Sequence, residues 1–211
     1  MDSDDIIIFD RCAVRLHRDR AAARIDALRP VLDDLAQRVL HRLDDTKRQF
    51  STALDVGGRG AVAPLLAERG IAVISSDLSA RMTARAGGLP VAADEEALPF
   101  AEAAFDLIVA HLSLHWINDL PGALIQLRRA LKPSGLFIAS LPLIGTLTGL
   151  RAALIETESE LVGGASPRVS PFPALSDCMG LMQRAGFAMP VAEMEEVEFI
   201  YRNRLNLLRD L

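Results

Sequence analysis

Cysteine occurs only at Cys12 and Cys178 in the 211 residues, and tryptophan and tyrosine occur once each. So few cysteines exclude a disulfide-stapled fold, and their spacing offers no metal site. A lone cysteine is most often a small core hydrophobe. The pair fits a reducing, cytoplasmic setting. Lysine is confined to Lys47 and Lys132, so arginine carries nearly all the basic charge. No stretch of ~20 apolar residues occurs, which excludes a membrane-spanning helix of ordinary length. The acidic start, Met1-Asp2-Ser3-Asp4-Asp5 before Ile6-Ile7-Ile8-Phe9, lacks the basic region and long apolar run of a signal peptide. Internal repeats and low-complexity tracts are missing as well. Lys+Arg 23 against Asp+Glu 28 gives a net charge of −5, so no overall basic field points to nucleic acid.

Half the residues are hydrophobic and a quarter are charged, enough for one sizeable core. Residues 10–48 read as helical. Arg11, Arg15 and Arg18 share a helical face there, readable as a solvated surface or as a lid or patch for an anionic substrate. Leu28 to Leu43 carries a second apolar stripe, with Pro30 in the first turn, where proline is tolerated.

The texture changes at Ser51. Short apolar runs at 51–56, 71–76, 90–93, 105–112 and 136–141 read as strands, and helical stretches near 60–69, 79–86 and 120–131 alternate with them. Near-continuous apolar strands alternating with helices predict a doubly wound, mostly parallel α/β sheet. Residues 1–50 then form a helical cap and 51–211 the α/β domain. Glycines and prolines mark an insertion or lid at about 142–172. A helix is expected over 175–185, a sixth strand over 191–201, and a helix from Arg202.

Motifs follow the strand ends, where such sheets bind ligands. Asp55-Val56-Gly57-Gly58-Arg59-Gly60 joins a strand to a helix. Its glycines permit a tight turn and close backbone approach, and a helix N-terminus attracts an anion. Gly58-x-Gly60-x-x-Ala63 formally fits a dinucleotide loop. Asp55, two residues before the first glycine, suits instead the ammonium group of S-adenosylmethionine; a plain tight turn is the third reading. Asp77, 20 residues after Gly57 with Leu78 beside it, suits the ribose hydroxyls or a helix cap. Asp94, followed by Glu95, suits the adenine amino group or a solvated turn, and Ala93 and Leu98 would flank the ring. His111 and His115 lie where a reactive methyl group should sit and are the candidate bases, although single histidines are often structural. Trp116 reads as a packing anchor.

Together, Asp55/Gly57/Gly60, Asp77, Asp94, Leu98-Pro99-Phe100, Phe105-Asp106 and Lys132-Pro133-Ser134-Gly135 resemble the class I S-adenosylmethionine-dependent methyltransferases over about residues 51–141. Phe9-Asp10-Arg11, Arg18-Asp19-Arg20-Ala21-Ala22, Ser113-Leu114-His115-Trp116-Ile117-Asn118-Asp119-Leu120-Pro121 and Asn206 to Leu211 resemble one branch of them. That branch contains mitochondrial complex I assembly factor 5 and its bacterial relatives, near the biotin-pathway malonyl-carrier-protein O-methyltransferases. The resemblance implies a seven-stranded fold with S-adenosylmethionine in its cleft, held by Asp55, Gly57, Gly58, Gly60, Asp77, Leu78, Asp94, Glu95 and His111. It implies a methyltransferase acting on a small-molecule, carrier-protein or protein acceptor, with no metal. For the assembly factor it implies arginine hydroxylation of a complex I subunit, or a scaffolding role. The glycine loop is one residue shorter than the family's usual pattern. The last strand is not visible, and the edge so left open would invite a homodimer.

Overall fold

The computed structural model describes residues 7–210, without the side chains of Arg209 and Asp210, so Met1 to Ile6 and Leu211 lie outside the described residues. Five strands form one sheet: β1 (Thr52–Val56), β2 (Ala72–Asp77), β3 (Leu89–Ala92), β4 (Phe105–His111) and β5 (Leu131–Ser140). All pairings are parallel, in the order β3-β2-β1-β4-β5. Strand order reverses between β1 and β4, and sheets of this kind bind ligands at the carboxyl ends of the strands beside such a reversal.

Period-two alternation assigns side chains to the two faces. Ala53, Leu107 and Val109 join one core cluster with Leu32, Ala36 and Leu40 of α2 (Arg29–His41) and Leu66 of α3 (Val62–Glu68). Leu54, Val56, Ile108 and Ala110 join the other, with Leu124 and Leu127 of α5 (Leu120–Ala130). Each such leucine stabilises the fold by roughly 1.5–3 kcal/mol through burial. α1 (Arg11–Ala21) begins at Asp10, whose carboxylate accepts from the amides of Cys12 and Ala13. α4 (Ala80–Ala86) is capped by Ser79, which accepts from Met82 N at 3.0 Å.

Three expectations change. The last strand of the sheet starts at Leu131, not Leu136. Its register jumps from Phe105↔Leu131 to Leu107↔Leu136, so Lys132 to Gly135 bulge out within the strand, with Ser134 at φ 63°. No sixth strand forms over 191–201 among the described residues. Alternation alone cannot make a strand without a partner ladder. The segment instead leaves Val191, Met194 and Ile200 exposed, and its Glu193 and Glu195 pair with Arg42 and Arg38 of the cap. The described sheet therefore has five strands, not the seven that the resemblance implies.

Within residues 142–172, α6 (Thr148–Val162) buries no side chain. α7 (Leu175–Arg184) packs on the second core cluster through Leu181 and Met182, and Phe187 stacks on Phe137 at 5.1 Å. α8 (Arg204–Asp210) follows.

Candidate functional site

The glycine loop leaves β1 and turns sharply. Gly57 and Gly60 take φ of +68° and +88°. A Cβ on Gly57 would stand 2.3 Å from Ser113 Cβ, and one on Gly60 2.2 Å from Arg29 Nη1. The amides of Gly57 and Gly58 both donate to Ser76 O, at 2.7 and 3.0 Å. The shortened loop is therefore seated on β2, on Ser113 and on the cap helix α2.

The carboxylates expected at three strand ends gather at the same end of the sheet. Asp55 is buried on β1, with the Ser75 hydroxyl donating to Oδ2 at 3.5 Å. Burial pushes its pKa up to about 7, against the pull of Arg59. Asp77 ends β2, fully buried; Oδ1 accepts from Ser79 N at 2.7 Å and Oδ2 from Arg18 Nη1 at 3.0 Å. Leu78 beside it is half-buried. After β3, Asp94 Oδ1 lies 2.5 Å from Arg11 Nη2. Glu95, also buried, accepts from Arg11 Nη2 and Arg18 Nη1, each at 2.5 Å. Burial works against the charge on Arg18, yet Glu95 and Asp77 together raise its pKa. Ala93 and Leu98, read as flanking an adenine, are both half-buried.

The arginine face of α1 divides in a way that sequence spacing did not reveal. Arg11 and Arg18 turn into the carboxylates, while Arg15 is exposed. The segment before α1 is clipped down by Asn118. Its Oδ1 accepts from the amides of Ile8 and Phe9 at 2.9 and 2.8 Å, and its Nδ2 donates to Phe9 O at 3.0 Å.

His111 ends β4, and its Nδ1 lies 2.8 Å from Ser140 Oγ on β5. Burial and Arg59 lower its pKa to about 4. His115 sits in a short 3-10 turn, 5.2 Å ring to ring from Trp116 and 6.1 Å from Phe172. Burial, Arg59 and Arg18 lower its pKa to about 3. Both rings are thus neutral near neutral pH. Trp116 packs edge-on against Phe9 at 5.6 Å but stays exposed.

Sequence patterning offers Arg59 and Ser113 only as members of longer motifs and does not single out Ser76 or Ser140. The Arg59 guanidinium crosses to Leu112 O and acts electrostatically on Asp55, His111 and His115. Its place inside the glycine motif was the available signal. Ser76 Oγ, Ser113 Oγ, His111 Nε2 and Arg18 Nη2 are buried and have no hydrogen-bond partner. Buried polar atoms are normally satisfied. Orphans at the ends of β2 and β4, beside three carboxylate-bearing strand ends, therefore suit a polar ligand, and the donor set fits an adenosyl amino acid. Among the described residues no three His, Cys, Asp or Glu side chains gather as metal ligands do.

Residues 54–139 match the family model of a methyltransferase domain. The chain is 39% identical over 213 residues to "Arginine-hydroxylase NDUFAF5, mitochondrial" of Danio rerio, covering 97% of this chain and 66% of that protein. It is 33% identical over 224 residues to "Malonyl-[acyl-carrier protein] O-methyltransferase" of Methylovorus sp. (strain MP688), covering 98% of this chain and 74% of that protein. The chain thus spans just under two thirds of the length of the hydroxylase relative. A crystal structure of a SAM-dependent methyltransferase from Thermotoga maritima superposes with a TM-score of 0.60 at 20% identity, covering 81% of this chain and 80% of that one. That last likeness bears on the fold alone.

Proposed function

This chain belongs to the class I S-adenosylmethionine-dependent methyltransferase superfamily, and from that premise we propose that it is a methyltransferase acting on a small-molecule, carrier-protein or protein acceptor. The observation that carries the reading is the convergence of Asp55, Asp77 and the Asp94-Glu95 pair around one glycine loop. In this reading Asp55 and the loop of Gly57, Gly58 and Gly60 hold the amino-acid end. Asp77, next to Leu78, holds the ribose, Asp94 and Glu95 face the adenine, and His111 borders the methyl end. Residues 1–50 cap the α/β domain of 51–211, with the lid at about 142–172.

When bound, S-adenosylmethionine supplies an electrophilic methyl group on a good leaving group. The chain's own contribution is then mainly orientation and exclusion of water. His111 and His115 are the candidate proton acceptors, neutral but weakly basic. Bases so weak favour an acceptor that arrives already deprotonated, such as a carboxylate, over an amine or alcohol. The cysteines, both free, fit a cytoplasmic location. No helix among the described residues is long and apolar enough to cross a membrane. A homodimer through a free sheet edge belongs to the same proposal, and light scattering reads it.

Calorimetric titration with S-adenosylmethionine and S-adenosylhomocysteine tests the reading. Binding is expected near micromolar, about −8 kcal/mol, and Asp77→Ala should weaken it at least about tenfold, ~1.4 kcal/mol. A folded Asp77→Ala protein that binds as the parent does would remove Asp77 from the site.

The 39% identity to the arginine hydroxylase favours one second reading. Here the chain serves respiratory complex I assembly, as an arginine hydroxylase or as a non-catalytic partner of a complex I subunit. Co-purification of such a subunit without methyl turnover supports it; methyl transfer to a free carboxylate acceptor counts against it.

A further inference from the structure

Asp77, the residue given above to the ribose, is fully buried. What covers it is Arg18. The Arg18 Nη1 lies 3.0 Å from Asp77 Oδ2 and 2.5 Å from Glu95 Oε1, so one guanidinium fills the space between the two carboxylates. A ribose cannot reach Asp77 while that guanidinium stays in place.

The element that carries Arg18 is independently unusual. α1 contains no buried residue. Its side-chain ties to the domain are polar: Arg11 to Asp94, Glu95, Glu96 and the Trp116 carbonyl, Arg18 to Asp77 and Glu95, and the Ser79 hydroxyl donating to Asp19. Lifting a helix with no buried side chain exposes little apolar surface, so the hydrophobic effect hardly opposes it. What resists within the helix is this polar set, while its two ends are anchored by Phe9, clipped by Asn118 and packed on Trp116, and by buried Ala22 and Ile25; an incoming ligand can replace the ion pair on Asp77. α2, the other cap helix, differs: it buries Leu32, Ala36 and Leu40 and is fixed.

We propose that α1 is a latch on the cofactor cleft: Arg18 bridges Asp77 and Glu95 to hold it shut, and S-adenosylmethionine binds only after Arg18 withdraws. The inference rests on Asp77 being the ribose ligand. A latch lowers apparent affinity by the fraction of molecules that are open, and a change that frees the cleft restores it.

Stopped-flow and calorimetric binding of S-adenosylhomocysteine decide the matter. Arg18→Gln should associate at least about threefold faster than the parent and bind tighter by a similar factor. A second protein carries Asp19→Cys and Ser79→Cys in a Cys12→Ser, Cys178→Ser background, so that a disulfide staples α1 to the start of α4. Its oxidised form should associate at least about tenfold more slowly, with recovery in dithiothreitol. If Arg18→Gln fails to fold, the stapled protein decides alone. The latch is overturned if the parent binds and Arg18→Gln binds no faster, or if oxidised and reduced stapled proteins bind alike. Weaker binding by Arg18→Gln would make Arg18 a ligand of the cofactor and also overturn it. Binding by Arg18→Gln but not by the parent supports the latch strongly. Failure of every folded, reduced protein to bind overturns the cofactor reading itself, and the latch with it.

Discussion

Gly57 and Asp55 show how much of the site rests on single residues. Gly57 combines a left-handed φ of +68° with a Cβ position 2.3 Å from Ser113 Cβ. An alanine there meets about 1–2 kcal/mol of backbone strain plus roughly 1–3 kcal/mol of overpacking. Gly57→Ala should therefore lose about 3 kcal/mol in urea unfolding, and bind S-adenosylhomocysteine more weakly. Asp55 carries a different cost. Its folded pKa of about 7 stands well above the unfolded value near 3.9. Between those values the folded state holds the extra proton, so the contribution of Asp55 to stability falls as pH rises through that window. Asp55→Asn cannot titrate. It should be more stable than the parent at about pH 8, with a smaller gap at about pH 5, measured by urea unfolding at both. A more stable but non-binding variant is the expected sign of a residue kept for function.

At the scale of elements, Asp106 ties three strands at their amino ends. Its Oδ2 accepts from Ser51 N, Ser51 Oγ, Thr52 N and Thr52 Oγ1 at 3.1, 2.6, 3.0 and 3.0 Å, and Oδ1 meets Lys132 Nζ at 2.9 Å. One carboxylate thus fixes the entry of β1 and the bulge of β5 onto the first residues of β4. The hydrogen bonds from Ser51 and the Lys132 ammonium hold its pKa well below the usual carboxylate range. For a depressed carboxylate the stabilisation is complete above the unfolded pKa and is lost as pH falls through the folded one. Asp106→Asn should cost about 1–3 kcal/mol near neutral pH. The difference from the parent should shrink only below about pH 4, as a melting series at decreasing pH would show. Ligand binding, at the opposite end of the strands, should hardly change.

Across the whole molecule, the cap and the sheet share one core. Leu32, Ala36 and Leu40 of α2 lie in the same cluster as Ala53, Leu107 and Val109 of the strands. A cap that contributes to the domain core should not melt separately. Leu40→Ala should cost about 2–5 kcal/mol and shift one transition, coincident by far-UV circular dichroism and calorimetry. Two separate transitions would show the cap to be an appended unit. The polar attachment of α1 stands against this background: one cap helix is welded to the core and the other is held by charge.

The sequence determined the sheet. Five apolar runs, most with helices between them, marked every described strand; for the inner strands β1 and β4 burial on both faces demands a near-continuous apolar run and leaves a plain trace in composition. It also placed Asp55 and Asp77 in the last residues of their strands and Asp94 just past β3, since a strand's end is where its apolar run stops. It misplaced residues 191–201, whose alternation looks like a strand yet has no partner ladder, and it missed the bulge at Lys132 to Gly135; pairing and register depend on residues far away in the chain. Above all, helical spacing put Arg11, Arg15 and Arg18 on one face but could not say what that face meets. Only the tertiary structure brings Arg18 onto Asp77, 59 residues distant. Ion pairs follow from distance in space, and distance in space follows from how all the elements pack, which no local pattern encodes.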